Sequence, residues 1–182
     1  MKIGFIGLGT MGSSMAMNAI RGGDELVVND IRRESATPHL EAGAQWADTP
    51  RQVAEESEIV FTSLPGPREV EAVALGEDGL TEGLTEGKVF LDLSTSSPAL
   101  IRDIYAKFAE RGIHVLDAPV SGGPEGARTR KLAVWVGGDE EIFERCKPVL
   151  DAIGDKPYYV GPIGSGTGAK LAHNCIGDII QT

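Results

Sequence analysis

Lys2-Ile3-Gly4-Phe5-Ile6-Gly7-Leu8-Gly9-Thr10-Met11-Gly12 stands one residue from the start of the chain, and its reading decides the fold. Ile3 to Ile6 is a short, β-rich apolar run with the length of a buried strand. It leads straight into Gly7-Leu8-Gly9-Thr10-Met11-Gly12, which fits the pattern G-x-G-x-x-G. In such a turn the first glycine permits the sharp bend off the strand. The second, lacking Cβ, lets a pyrophosphate approach the backbone, and the third lets the next helix pack close to the sheet. The free N–H groups and the dipole at that helix's N-terminus attract phosphate. Gly7, Leu8, Gly9, Thr10, Met11 and Gly12 are therefore the expected dinucleotide contacts.

The flanking sequence supports this. Met11 to Arg21 is expected to be helical, with Met11, Met15, Ala19 and Ile20 on one face, and stops at Gly22-Gly23. Leu26 to Val28 is a second strand, ending at Asn29-Asp30. Asp30 lies about 20 residues past the fingerprint, where an acid binds the ribose hydroxyls of NAD. Arg32 and Arg33 follow. A cation there suits the 2′-phosphate of NADP and an acid repels it, so NAD is expected, with NADP as the alternative. The competing reading is a strand–helix turn that binds nothing.

The 182 residues suffice for one α/β domain with a real core. A formal charge of -10 argues against nucleic-acid or anionic-membrane partners. Cys146 and Cys175 have no metal-site or CxxC spacing, so no metal is expected. With no long apolar run and no signal-peptide pattern, the expectation is a soluble cytoplasmic protein.

Strand and helix alternate along the rest of the chain. The expected helices are Glu34 to Ala42, Pro50 to Ser57, Arg68 to Leu75, Ala99 to Arg111 and Asp139 to about Leu150. The expected strands are Ala44 to Trp46, Glu58 to Leu64, Lys88 to Leu93, Ile113 to Leu116, Leu132 to Val136 and Tyr158 to Val160. Gly76 to Gly87 reads as a loop or short helical turn. The alternation calls for a mostly parallel sheet covered on both faces, with the strands after Ser121 able to run antiparallel.

Three loops follow carboxyl ends of strands, where open α/β sheets bind ligands. Leu64-Pro65 with Gly66-Pro67 is either a cofactor contact or a plain turn. Ser94-Thr95-Ser96-Ser97-Pro98 offers helix capping and hydroxyls for a cofactor, Thr95 among them. Ser121-Gly122-Gly123 exposes N–H groups suited to a carboxylate, or is a glycine hinge.

Gly161 to Lys170 is not a Walker A motif, because Ala169 replaces the glycine before the lysine. A helix is expected from about Gly166, with Leu171, Cys175, Ile176 and Ile179 as its apolar stripe. Lys170, Asn174, Gly177 and Gln181 share another face. Lys170 and Asn174 can thus reach one substrate, although such a pair is more often a solvated face.

Three motifs in order, GFIGLGTMGSSMAMN from Gly4, DAPVSGG from Asp117 and GPIGSGTGAKLAHN from Gly161, resemble the β-hydroxyacid dehydrogenase family. The likeness is to 3-hydroxyisobutyrate dehydrogenase-like and 6-phosphogluconate dehydrogenase-related proteins, and it covers the whole chain. It implies a Rossmann-type doubly wound sheet over residues 1–163. Residues 164–182 would begin an interdomain helix, with a helical second domain beyond that closes the site and builds a dimer. It implies that Lys170 is catalytic, that Ser121, Gly122, Gly123 and Asn174 bind a small hydroxy acid, and that Ser94 and Thr95 contact cofactor or substrate. The chain departs from the family where a usual Gly-Thr pair is replaced by Arg130-Lys131, two cations that could suit a more acidic substrate. The implied reaction is hydride transfer between NAD and a β-hydroxy acid. The alternatives are an imine reductase, a group that generally lacks the lysine, and a non-catalytic dinucleotide-binding module.

Overall fold

The computed structural model describes the backbone of residues 1–181 and the side chains of residues 1–177. The chain begins with β1 (Lys2–Ile6), α1 (Gly12–Arg21), β2 (Glu25–Asn29), α2 (Thr37–Glu41), β3 (Gln45–Trp46) and α3 (Pro50–Glu56). It continues through β4 (Ile59–Thr62), α4 (Pro67–Leu75), α5 (Leu80–Gly83), β5 (Val89–Asp92), α6 (Pro98–Ala109) and β6 (His114–Asp117). β7 (Val120–Ser121), α7 (Gly123–Thr129), β8 (Ala133–Gly137), α8 (Glu140–Ile153), β9 (Pro157–Gly161) and α9 (Ser165–Gln181) complete it.

The strands form one sheet in the order β3-β2-β1-β4-β5-β6-β8-β7, with β9 against β8. From β3 to β6 every pairing is parallel. Chain direction across the sheet reverses between β1 and β4, and that reversal opens a crevice above the carboxyl ends of the strands. The expected antiparallel section is present: β8 runs antiparallel to β6 and β7, while β9 is parallel to β8.

Each face of the sheet buries its own core. Phe5, Phe61, Val28 and Leu91 pack with Met15 and Ala19 of α1 and Phe143 of α8. Ile6, Val27, Val60 and Phe90 pack with Val53 of α3 and Ile101, Ile104 and Phe108 of α6 on the other side. This two-sided burial explains why the strands are continuous apolar runs rather than alternating ones. Each such large side chain contributes roughly 1.5–3 kcal/mol by leaving water.

Local departures from expectation have local causes. The single helix expected over Glu34 to Ala42 is a 3₁₀ turn, Arg33–Ala36, followed by α2. Pro38 has no N–H to give back to the preceding turn, and the Thr37 hydroxyl donates to the Glu34 carbonyl at 2.9 Å. Thr49 and Asp139 cap α3 and α8 through their side chains as expected. Ser97 makes no such bond to α6. α7, which begins inside the Ser-Gly-Gly loop, was not anticipated. The described part of the expected apolar stripe of α9 is turned outward, with Leu171, Cys175 and Ile176 exposed; Ile179 and Gln181 lie outside the described side chains.

Candidate active site

The first half of the site is a cleft of about 940 Å³ at the reversal point. Gly7, Gly9, Thr10, Met11, Gly12, Asp30, Leu64 and Pro65 all line it. Gly7 has φ +93°, and its N–H donates to the Asn29 carbonyl at 3.0 Å, which ties the loop to the end of β2. A Cβ on Gly12 would collide with the Gly7 carbonyl, so the start of α1 sits directly on the turn. A Cβ on Gly9 would meet nothing within 4 Å, so the backbone there faces open space. The N–H groups of Gly9, Thr10 and Met11 have no acceptor among the described residues.

Leu8 differs from its neighbours in the motif. Its side chain is buried in the core, and its N–H donates to Asp30 Oδ2 at 2.7 Å. It shapes the loop and does not line the cleft. The other oxygen of Asp30 accepts from the Arg32 N–H at 2.8 Å. Beyond Asp30, Arg33, which the sequence marks as a cation bearing on cofactor choice, is joined by Trp46 and Asp48, which the sequence does not point to. The Arg33 guanidinium stands 5.1 Å over the Trp46 ring, and both Arg33 and the Trp46 indole N–H reach Asp48, at 3.5 and 2.7 Å. The available signal was positional: Arg33 and Asp48 follow the ends of β2 and β3.

Leu64 and Pro65 are held from below by the serine cluster. The Leu64 N–H donates to Ser94 Oγ at 2.9 Å. Ser94 is buried, and its own N–H donates to Asp92 Oδ1 at 3.0 Å, where the Thr62 hydroxyl also donates. Burial pushes the Asp92 carboxyl up to about 6, against hydrogen bonds from Ser94 and Thr62 that favour its ionised form. Ser94 therefore braces the loop, and Thr95 next to it is exposed to solvent.

The second half lies beyond β5. Lys170, on α9, is 8% exposed, and its ammonium donates to Ser121 Oγ at 3.3 Å. Burial lowers its pKa from the usual lysine value. Gly122 and Gly123 have φ of +132° and +61°, a conformation that brings glycine to these positions. Their N–H groups have no acceptor among the described residues. Asn174 is exposed one turn beyond Lys170. The fold thus brings Lys170 to Ser121, while Thr95, Ser121 to Gly123, Lys170 and Asn174 stand outside the walls of the cleft that holds the glycine loop. Arg130 points elsewhere: its guanidinium donates to the Asp151 carbonyl at 3.2 Å, near the C-terminus of α8.

Residues 2–161 match the NAD binding domain of 6-phosphogluconate dehydrogenase. The chain belongs to that family. The 2-hydroxy-3-oxopropionate reductase of Escherichia coli is 43% identical over 97% of this chain and 60% of its own length. The 3-hydroxyisobutyrate dehydrogenase of Pseudomonas aeruginosa is 38% identical over 98% of this chain and 60% of its own. A crystal structure of a putative oxidoreductase from Mycobacterium avium superposes with a TM-score of 0.92 at 34% identity, over 98% of this chain and 63% of that one. The chain spans about three-fifths of the length of these proteins.

As an NAD-binding domain of this family, the cleft fits its cofactor. The open backbone at Gly9 and the unpaired N–H groups at the start of α1 suit a pyrophosphate, and Asp30 suits a ribose. Among the described residues no helix is long and apolar enough to cross a membrane.

Proposed function

We propose that this chain is the cofactor-binding part of an NAD-dependent dehydrogenase that interconverts a small β-hydroxy acid, 3-hydroxyisobutyrate-like, and its semialdehyde. The observation that carries the reading is the 3.3 Å contact between the buried Lys170 ammonium and Ser121, at the end of the sheet where the cofactor loop also stands. It is supported by relatives named for 2-hydroxy-3-oxopropionate and 3-hydroxyisobutyrate.

In this mechanism Ser121 Oγ and the N–H groups of Gly122 and Gly123 hold the substrate carboxylate. Lys170 Nζ, as the neutral amine that burial favours, takes the hydroxyl proton during oxidation to become the ammonium, and the ammonium returns that proton during reduction; Asn174 orients the same hydroxyl. A nicotinamide cofactor held on the glycine loop would supply the hydride chemistry. General acid–base help of this kind is worth about 10²–10⁴-fold. A lysine suits the role when burial lowers its pKa, as at Lys170. Gly7, Gly9, Thr10, Met11 and Gly12 cradle the phosphates, Leu64, Pro65 and Thr95 border the cofactor, and Asp30 favours NAD over NADP.

Residues 1–163 form the cofactor domain in this reading, and 164–182 begin a helix leading to a helical domain that completes the site and builds a homodimer. The protein acts in the cytoplasm.

The test is Lys170→Ala in the full-length protein, assayed with NAD and NADP against a panel of 3-hydroxy acids and cyclic imines. Loss of hydroxy-acid turnover with NAD binding intact is the expected result. Near-normal turnover in that variant, or NADPH consumption with imines alone, refutes the proposal.

A further inference from the structure

Asp117 ends β6 and is 1% exposed, buried where a lone carboxylate is costly. No basic side chain bonds to it among the described residues. Its partners instead come from the turn that starts α9. Oδ1 accepts from the Gly164 N–H at 2.8 Å. Oδ2 accepts from the Thr167 N–H at 2.6 Å and from the Thr167 hydroxyl at 2.8 Å. These donors lie 47 and 50 residues away in sequence. The carboxylate therefore acts as an N-terminal cap delivered from another element, where the helix dipole also favours negative charge.

The surrounding backbone leaves the helix little freedom to sit elsewhere. A Cβ on Gly166 would collide with the Trp135 and Asp117 carbonyls, and one on Gly137 would run into the Asp117 carboxylate. Glycine at these two positions lets α9 dock backbone to backbone on the ends of β6 and β8. Farther along, the His173 ring lies 5.0 Å from Trp135 of β8.

Two short spans then matter. Lys170 is three residues past Thr167, so both lie on one side of α9. Ser121 is four residues past Asp117, at the end of the short strand β7 that follows β6. One carboxylate thus fastens the strand that leads to Ser121 and the helix turn that leads to Lys170. Its register partner on β5, Asp92, is committed elsewhere, to Thr62 and Ser94 beneath the Leu64 loop.

We propose that Asp117 is a positioning residue for Lys170: it holds the first turn of α9 against the end of β6 and so sets where the ammonium stands relative to Ser121. The inference rests on the catalytic reading of Lys170 given above. It differs from a general stabilising role because it touches the helix that carries Lys170 and not the glycine loop, so cofactor affinity and turnover should separate.

The experiment is a double-mutant cycle in the full-length protein with Asp117→Asn and Lys170→Ala. The amide puts an NH₂ group against a backbone N–H and forces the helix start to shift. A displacement near 1 Å at a reacting group lowers kcat by about 10²-fold. That loss is expected in Asp117→Asn, with the NAD dissociation constant unchanged. Adding Asp117→Asn to Lys170→Ala should cause no further loss, because residues that act as a unit are non-additive. Full kcat in Asp117→Asn beside an inactive Lys170→Ala overturns the inference alone, as do losses that multiply. An active Lys170→Ala overturns the catalytic reading and this inference with it. Should Asp117→Asn fail to fold, Thr167→Val removes only the hydroxyl donor. It is expected to lower kcat severalfold at unchanged NAD affinity, with Thr167→Ser restoring it, and unaltered kcat in Thr167→Val defeats the inference.

Discussion

The backbone N–H of Leu8 donates to Oδ2 of Asp30 at 2.7 Å, so the glycine loop is fastened to the acid at the end of the neighbouring strand. Oδ1 of the same carboxylate holds the Arg32 N–H, and Asp30 still lines the cleft. Asp30 thus shapes the loop and faces the cleft. Hydrogen bonds to a charged group contribute about 1.5–3 kcal/mol, so Asp30→Ala should weaken NAD binding by roughly 10- to 100-fold. NADP should lose less, because the variant also removes the charge that repels a 2′-phosphate. Titration calorimetry with both cofactors measures the ratio. Equal losses for NAD and NADP would show that Asp30 shapes the loop and takes no part in selectivity.

Gly9 and Gly12 serve different ends, and alanine separates them. At Gly12 an added methyl meets the Gly7 carbonyl, a rigid backbone atom, so Gly12→Ala should lower stability by about 1–3 kcal/mol as an overpacked site. At Gly9 the methyl enters open space, so Gly9→Ala should melt like the wild type and yet bind NAD much more weakly. Thermal unfolding with and without NAD distinguishes the two. A Gly9→Ala variant with unchanged NAD affinity would place the pyrophosphate elsewhere.

The parts legible in the sequence were those in which one short stretch carries its own cause. Ile3 to Gly12 displays strand, turn and helix start together, and Thr49-Pro50 and Asp139 carry their capping oxygens next to the helices they cap. What could not be read depends on partners distant in sequence. The serines after β5 looked like helix caps; instead Ser94 is drawn down by Asp92 and Leu64, contacts that exist only once β4 and β5 are paired. Asp117 stands in the sequence only as the first residue after an expected strand, opening a family motif, because its three donors lie about fifty residues ahead. Lys170 was singled out by a family likeness, since a lysine and an asparagine one turn apart do not reveal that the first is buried and the second exposed.

The cation at position 130, considered from sequence as a hint of an acidic substrate, is spent at the end of α8. Arg130 has φ +61°, and its guanidinium donates to the Asp151 carbonyl, a favourable place for positive charge near a helix C-terminus. Arg130→Gly should therefore leave KM for hydroxy acids unchanged across substrates of different charge. Stability should move by less than about 1 kcal/mol, since relief of the left-handed conformation offsets the lost bond. A KM that rises selectively for dicarboxylic substrates would return Arg130 to the substrate site.

Asp92 should make the domain's stability fall as pH rises across a defined window. Its carboxyl is pushed up to about 6 in the folded chain, chiefly by burial, with the neighbouring Asp117 charge adding to the effect. Below pH 4 the group is protonated both folded and unfolded. Between about 4 and 6 the unfolded chain has released the proton while the folded chain keeps it, so folding is disfavoured progressively as pH rises, by about 2–3 kcal/mol in all. Asp117, whose carboxyl burial also raises, acts in the same direction. Asp92→Asn isolates the first contribution. Thr62 and the Ser94 N–H both bond to Oδ1, so an amide oxygen at that place keeps both donors while the charge is gone. The variant should match the wild type near pH 4 and exceed it by about 2 kcal/mol at pH 7, as measured by urea unfolding at each pH. A difference between the two proteins that stays flat from pH 4 to 7 would mean that Asp92 ionises normally in the fold, stabilised by its Thr62 and Ser94 hydrogen bonds despite its burial.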